Sequence, residues 1–229
     1  MRTLKIGIPI VVAQILLISM QFVDTVMAGH VSAKDLAALA IATALFHPLV
    51  LLLVGILMSV TPIVAQLKGS RNEDKISRVI ADAFQLSLVF AVPTIFMLHL
   101  LKPLMEAIGY PAEVSRIGDG YLHAVSWGLP AILAYDVFRH FNEGLTLTRP
   151  NMYFHIIGLM LNILGNYTLM FGNFGFPAMG AVGAGWSTAM AWNLMLIMMF
   201  TFSFKNRRLR IYLEIQDFFR IRFQNTREI

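Results

Sequence analysis

The feature that most constrains this chain is an apolar run from Ile6 to Gly29, which is long enough to cross a lipid bilayer and carries one charged residue, Asp24. Backbone polar groups in lipid must be paired, and the run lacks the alternating pattern of barrel strands, so we expect a helix. A carboxylate in the middle of a membrane helix costs about 3 kcal/mol and usually faces a protein interior or a wet cavity. Asp24 is therefore the first candidate for a functional group.

Further apolar runs follow the first, and together they predict an all-α integral membrane protein with a bundle of six transmembrane helices over residues 1–204. The predicted spans are 6–28, 36–66, 76–101, 117–138, 152–171 and 181–204. Apolar residues make up 57% of the chain and charged residues 14%, and the mean hydropathy is +0.68, which is typical of a membrane protein. Cysteine is absent, which excludes disulfides and thiolate metal sites.

The distribution of positive charge predicts the orientation in the membrane. Of the 18 Lys and Arg residues, all but Lys34, Lys102 and Arg116 fall in segments that lie on one side of the membrane when the N-terminus is inside. The positive-inside rule then predicts that both termini are cytoplasmic. The excess of Lys and Arg on the cytoplasmic side explains the net charge of +5. We therefore expect no nucleic-acid partner.

Residues 205–229 differ from the rest because basic residues alternate there with Leu, Ile, Phe and Tyr. The spacing predicts an amphipathic helix on the cytoplasmic face, attracted by anionic headgroups of the lipid bilayer. A linker to further protein is an equally good interpretation of this segment.

One face of the first predicted helix is polar. At about 100° per residue, Gln14, Gln21 and Thr25 lie within an arc of about 40°, and Asp24 lies about 60° from Gln21. Because lipid disfavours such a face, we expect it to point into the bundle and to line a cavity. Pro9 removes a backbone hydrogen bond and predicts a bend in this helix, although proline is also simply common in membrane helices.

Polar residues of the fifth and sixth spans fall at a depth similar to that of Asp24. Asn162 and Asn166 are one turn apart on one face, and Thr188 follows Ser187 near the start of the sixth span. Together with Asp24 they predict a polar pocket in the outer half of the bundle, whose oxygens suit Na⁺ or a proton. The alternative for the amides and hydroxyls is that they only join helices by hydrogen bonds.

Other ionisable residues suggest no catalytic site. Asp136, Arg139 and Glu143 lie near a cytoplasmic helix end, where pairing of carboxylate with guanidinium is the ordinary explanation. The chain has no HExxH, GxSxG or P-loop motif and no histidine pair with the spacing of a metal site. We therefore predict that the protein is not an enzyme, needs no cofactor, and binds no metal beyond Na⁺ at Asp24.

Five stretches carry a family resemblance: IPIVVAQILLISMQFVDTVMAGHVSAKDLAALAIA, TPIVAQLKG, EGLTLTRPNM, LNILGNYTLMFG and GAVGAGWST. Over about residues 1–204 the chain resembles the multidrug and toxic compound extrusion (MATE) family, most closely its bacterial NorM-like branch. The resemblance implies one lobe of a transporter in which two six-helix lobes face a central cavity. It also implies export of small organic cations across the bacterial inner membrane in exchange for Na⁺ or H⁺ as the coupling ion.

The same resemblance implies roles for individual residues. Asp24 is similar to a first-helix carboxylate implicated in coupling, Asn162 and Asn166 to a polar pair of the fifth helix, and Thr188 to a hydroxyl of the sixth. Only six helices are predicted, so a missing second lobe, or a second copy of the chain, is the expected partner.

Two other functions stay open from the sequence. One is a lipid-linked oligosaccharide flippase of related architecture, although the predicted spans contain few of the cations that such a cavity would need. The other is an inactive half-transporter that folds and associates without transporting.

Overall fold

The computed structural model describes residues 2–219, and within that range the chain is built from helices and connecting turns. The helices are α1 (Arg2–Val31), α2 (Ala33–Leu57), α3 (Val60–Gly69), α4 (Ile76–His99), α5 (Leu101–Ala107), α6 (Ala112–Ser126), α7 (Leu129–Gly144), α8 (Arg149–Leu169), α9 (Ala181–Lys205) and α10 (Ile215–Phe219). Short 3₁₀ turns occur at Glu73–Lys75, Asn173–Gly175 and Arg210–Tyr212. An all-α fold was predicted, and the described residues have it.

Four helical segments are long and apolar enough to cross a membrane. They are Leu4–Val31, Ala33–Gly69, Glu73–Ala107 and Ala181–Lys205, and they coincide with the first, second, third and sixth predicted spans. The fourth predicted span is divided between α6 and α7, and the fifth lies in α8, whose asparagines and histidine lower its hydropathy. The count of six crossings therefore stays a prediction.

Two of the predicted spans are broken in the middle, and a proline follows each break. The second span changes from α2 to α3 at Met58 and Ser59, because Pro62 has no N–H to donate to the Met58 carbonyl. The fourth span breaks at Trp127 and Gly128, two residues before Pro130. A Cβ at position 128 would lie 2.8 Å from the Ala189 Cα, so the glycine allows α9 to approach closely at this break.

The core is centred on α7. Nearly every side chain from Leu129 to Leu145 is buried, including the rings of Tyr135, Phe138 and Phe141. Helices α2, α3, α4 and α9 pack around α7, while α1 packs against α2 and α8. This arrangement places α1 beside α8 and α8 beside α9, which brings together the three helices that carry the predicted pocket.

The helices run between two chemically different ends of the bundle. The basic end carries Lys68, Lys75, Arg149 and Lys205, and contacts such as Lys68 over the Tyr212 ring hold it together. The opposite end, called the far end below, contains the ion pair between exposed Lys34 and Glu113. The predicted orientation would place the basic end in the cytoplasm.

The chain after α9 folds back onto the basic end instead of forming the single amphipathic helix predicted from residue 205. The backbone leaves the helix at Asn206, and Leu209, Tyr212 and Leu213 are buried against the bundle. The Glu214 N–H donates to Ser77 Oγ over 2.8 Å. These apolar side chains pack between neighbouring helices, whereas Ile211 and Ile215 are exposed, so membrane contact of the tail stays a prediction. Residues 220–229 of the predicted helix lie outside the described range.

Candidate ion-binding site

Asp24 lies at the centre of the buried face of α1. Ala13, Met20, Asp24 and Ala28 are at most 6% exposed, and they follow one another at intervals of seven or four residues. These intervals return to one side of a helix with 3.6 residues per turn. Since α1 extends to Val31, Asp24 lies about 10 Å from the far end of the helix, somewhat deeper than the sequence predicted.

The polar arc of α1 lies elsewhere than predicted. Gln14, Gln21 and Thr25 are exposed, so they do not point into this bundle. The buried face of α1 is instead the side that packs against α2 and α8, and the arc lies at its edge. The prediction that these three residues line a cavity now depends on a second lobe, or a second chain, covering that edge.

The Asp24 carboxylate is held by one side chain from α8 and one from α9. Asn166 Nδ2 donates to Asp24 Oδ1 over 2.6 Å, and Thr188 Oγ1 donates to Asp24 Oδ2 over 3.2 Å. Asp24 and Asn166 are 6% and 0% exposed. The pocket predicted from helix depth is therefore formed in the structure as a direct hydrogen-bonded contact of three helices.

Asn162 completes this cluster by bonding to both side chains that hold the carboxylate. Asn162 Nδ2 donates to Thr188 Oγ1 over 3.2 Å, and Asn162 Oδ1 accepts from Asn166 Nδ2 over 3.4 Å. Ser187 Oγ donates to the Asn162 carbonyl over 2.9 Å. These bonds orient Asn166 and Thr188 towards Asp24.

The donors around Asp24 are all neutral. Within residues 2–219, the carboxylate accepts hydrogen bonds from an amide and a hydroxyl and takes part in no ion pair. Asn166 Oδ1 is also buried and has no hydrogen-bond partner among these residues. Carboxylate, amide and hydroxyl oxygens are hard ligands that suit a small cation, and a proton on the carboxylate would equally remove the buried charge.

Gly165 makes the close approach of α8 and α9 possible at this site. A Cβ at position 165 would lie 2.3 Å from Ser187 Oγ and 3.4 Å from the Ser187 Cα. Any side chain here would collide with the Ser187 side chain, which lies next to Thr188 in α9. The close packing of α8 against α9 at this point therefore requires glycine.

A second contact fixes α9 relative to the segment that follows α1. Asp35 Oδ1 accepts the N–H of Ala181 over 2.7 Å at the start of α9, while Ser32 Oγ donates to Asp35 Oδ2 over 2.6 Å. The contact lies at the far end, two turns above Thr188. Sequence reasoning missed Asp35, since nothing local indicates that it pairs with a residue 146 positions later.

Two further side chains matter to the neighbourhood of the site. Tyr121 of α6 is buried and lies close enough to Asp24 for the two to interact electrostatically. Pro9 lies within α1, which continues as a helix on both sides of it, so the predicted bend stays a prediction.

A separate polar network lies nearer the basic end. The Arg139 guanidinium is 3.1 Å from Asp136 and 3.5 Å from Glu143, as the sequence spacing predicted. Tyr135 donates its hydroxyl proton to Asn151 Oδ1, and His140 Nδ1 lies 3.0 Å from Thr61 Oγ1. The network joins α7 to α3 and α8, which the sequence did not reveal.

The histidines at the far end come together more closely than expected. The rings of His99 and His123 stack with their centroids 3.9 Å apart. Even so, no group of three His, Asp or Glu side chains within residues 2–219 is arranged to hold a metal ion.

Comparison with known proteins identifies relatives of this chain. The sequence model of the MatE family matches residues 9–168. The chain is 42% identical over 209 residues to the multidrug resistance protein NorM of Photobacterium profundum, covering 91% of this chain and 46% of the relative. It is 40% identical over 196 residues to the multidrug resistance protein MdtK of Pectobacterium atrosepticum, covering 85% of this chain and 43% of the relative.

Solved structures agree on the fold. The outward-facing conformation of a multidrug resistance MATE family transporter superposes with a TM-score of 0.85 at 20% identity, covering 96% of this chain and 48% of that one. A MATE structure in the bent conformation gives a TM-score of 0.85 at 21% identity. The chain thus spans about half the length of the proteins that it matches.

Proposed function

This chain belongs to the MatE family, and from that premise we propose that it forms the amino-terminal lobe of a cation-coupled multidrug efflux antiporter in the bacterial inner membrane. Relatives named as multidrug resistance proteins support the proposal, and the chain covers less than half of their length. The cavity would then be completed by a second lobe or by a second copy of the chain. Its substrates would be small organic cations.

The observation that carries the proposal is the environment of Asp24. An ionised carboxylate with neutral donors alone is expensive inside an apolar bundle, because no opposite charge compensates the loss of water. A Na⁺ ion or a proton at Asp24 removes that cost. The free Oδ1 atom of Asn166 supplies a further oxygen beside the carboxylate.

The proposed coupling follows from the bonds that Asp24 makes to two other helices. Binding of Na⁺ or H⁺ changes the charge that Asn166 and Thr188 hold in place, and so shifts the balance between two arrangements of α1. A bend at Pro9 would let the upper part of α1 move with the exposed edge of Gln14, Gln21 and Thr25. That edge would form part of the wall of the substrate cavity.

The first test is whether the lobe binds the coupling ion at Asp24. The purified chain is unfolded thermally in detergent at increasing Na⁺, with choline as the replacement ion, and at decreasing pH. Wild type should gain stability with Na⁺ or with protons, by about 2.7 kcal/mol when Na⁺ exceeds its dissociation constant a hundredfold. Asp24→Asn should abolish the dependence, while Asp74→Asn, which alters an exposed carboxylate, should keep it.

An equal response of wild type and Asp24→Asn would contradict the assignment of the site. Transport is tested separately, by ethidium efflux from cells that co-express this chain with the second half of a NorM relative. Efflux in the wild-type pair that is unchanged by Asp24→Asn would contradict coupling at Asp24. The mass of the solubilised chain, compared with 25.7 kDa for one copy, decides between a second copy and a separate second lobe as the partner.

A further inference from the structure

The surface between α8 and α9 carries an apolar groove near the basic end. The groove has a volume of about 560 Å³. Its sides are formed by Phe154 of α8 and by Ile197, Met198, Thr201 and Phe202 of α9, and its end by Lys205 and Asn206. From Ile197 to Lys205 it extends about 12 Å along α9 at the helical rise. Its mainly apolar lining suits a hydrocarbon chain that lies along α9.

The groove begins where the close packing of the two helices ends. At Gly158 the helices are in tight contact, since a Cβ there would lie 2.3 Å from Met195 Sδ. Towards the basic end the contact is made by larger side chains, with the rings of Phe154 and Phe202 5.9 Å apart. Ile197, on the groove wall, is 59% exposed, which leaves apolar surface open to the surroundings.

Positive charge gathers at the open end of the groove. Helices α8 and α9 are antiparallel, and the contact of Phe154 with Phe202 places Arg149, at the start of α8, level with Lys205 and Arg207 at the end of α9. Arg149, Lys205, Arg207 and Arg208 are exposed. The ion pairs found among residues 2–219 involve none of these four side chains.

An apolar slot that ends in unpaired cations fits an anionic amphiphile. A neutral lipid would fill the apolar groove but would leave the positive charges without a counter-ion. A soluble anion would pair with the positive charges but would leave the apolar groove empty. We propose that the groove between α8 and α9 binds one acyl chain of an anionic phospholipid, whose phosphate contacts Lys205. This site is separate from Asp24 and does not depend on the proposed function.

The test measures which lipid the chain retains. The purified chain in detergent is incubated with equal amounts of phosphatidylglycerol and phosphatidylcholine of the same acyl chains, and bound lipid is counted by native mass spectrometry. Wild type should retain phosphatidylglycerol in preference. Removal of one cation near a lipid phosphate should weaken retention about fivefold, which is the expectation for Lys205→Gln.

Two variants make the test specific. Lys75→Gln removes an exposed positive charge at the same basic end, in a turn that packs against α3 and α4 and not in the groove lining, and should leave retention unchanged. Thr201→Trp fills the slot without changing charge, and should reduce retention of phosphatidylglycerol. Circular dichroism of each variant checks that the helices are intact.

Four results would overturn the proposal. They are equal retention of both lipids by wild type, an equal loss in Lys75→Gln and Lys205→Gln, displacement of the lipid by inorganic phosphate alone, and a mass of two copies with no retained lipid. The last would mean that a second chain covers the groove.

Discussion

Asp24 is a buried charge and Arg139 a partly buried one, and their partners differ in kind. Asp24 is held by neutral groups, whereas Arg139 lies between the carboxylates of Asp136 and Glu143 on its own helix. A buried charge with fixed opposite charges is compensated in every state of the protein, while one with neutral partners is not. The difference supports the proposal that Asp24, and not Arg139, exchanges an ion.

Removal of the Arg139 charge should therefore destabilise the lobe severely. Arg139→Met leaves the buried Asp136 and the partly buried Glu143 without their cation, and breaking a buried pair costs about 3 to 5 kcal/mol. Denaturant unfolding in detergent measures the loss. Adding Glu143→Gln to the Arg139→Met variant should recover part of the lost stability, because one of the two uncompensated charges is removed.

The exposed ion pair at the far end provides the control. Lys34 and Glu113 have side chains that are 60% and 50% exposed, and Lys34→Met should cost less than about 1 kcal/mol. A similar small cost for Arg139→Met would mean that the network of Asp136, Arg139 and Glu143 is hydrated and does not anchor α7.

Sequence identified Asp24, Asn162, Asn166 and Thr188 as neighbours because helix depth follows directly from position along a span. The exposure of Gln14, Gln21 and Thr25 could not be predicted in the same way. A helical wheel gives the angle between residues but not the direction from which other helices approach. The bond between Thr61 and His140 was hidden for a related reason, since it joins residues 79 positions apart.

Two glycines of α8, Gly158 and Gly165, allow it to pack closely against α9, and they face different parts of that helix. The Cβ of an alanine at position 158 would meet the flexible side chain of Met195, but at position 165 it would lie 2.3 Å from Ser187 Oγ and 3.0 Å from Ser187 Cβ. The methionine side chain can rotate, whereas Ser187 Cβ is fixed to its helix and Ser187 Oγ already donates to the Asn162 carbonyl. Close packing at position 165 is therefore the stricter requirement.

Gly158→Ala and Gly165→Ala should consequently have opposite effects. Alanine gains about 1 kcal/mol over glycine in a helix, so Gly158→Ala should leave the unfolding free energy unchanged or raise it. Gly165→Ala should lower it by about 1 to 2 kcal/mol, because overpacking exceeds that gain. Thermal unfolding of the two variants in the same detergent makes the comparison, and equal stability would show that α9 adjusts freely at Ser187.

Hydropathy predicted the helices, but the breaks within them could be predicted only in part. Prolines stand at positions 62 and 130, yet we predicted the second and fourth spans as continuous. The breaks at Ser59 and Gly128 come from proline together with tertiary contact, such as the approach of Ala189 to Gly128. Contact of that kind has no local signature.

Across the whole bundle, the segment after α9 ties the basic ends of several helices together. Phe218 contacts the rings of Phe84, Phe138 and Phe204, which belong to α4, α7 and α9. Gln85 Nε2 also donates to the Phe218 carbonyl over 3.1 Å. The amphipathic pattern of residues 205–229 predicted burial of an apolar face, but it could not distinguish a membrane surface from the protein's own helices.

Loss of the Phe218 ring should release this segment. Phe218→Ala removes an aromatic side chain from a packed cluster and should cost about 3 kcal/mol locally. We expect faster trypsin cleavage after the arginines at positions 207, 208 and 210, measured by the rate of appearance of the shortened chain. Ile215→Ala, at a side chain that is 60% exposed, should cleave at the wild-type rate; equal rates for both variants would contradict docking by Phe218.

The three-helix contact at Asp24 can form only late in synthesis. Asn166 and Thr188 follow Asp24 by 142 and 164 residues, so at about 5 to 20 residues per second they emerge from the ribosome roughly 7 to 30 seconds later. During that interval α1 must enter the membrane with a carboxylate that has neither partner. Until α8 and α9 arrive, protonation of Asp24, or contact with water or the insertion machinery, removes the cost of an ionised carboxylate in lipid.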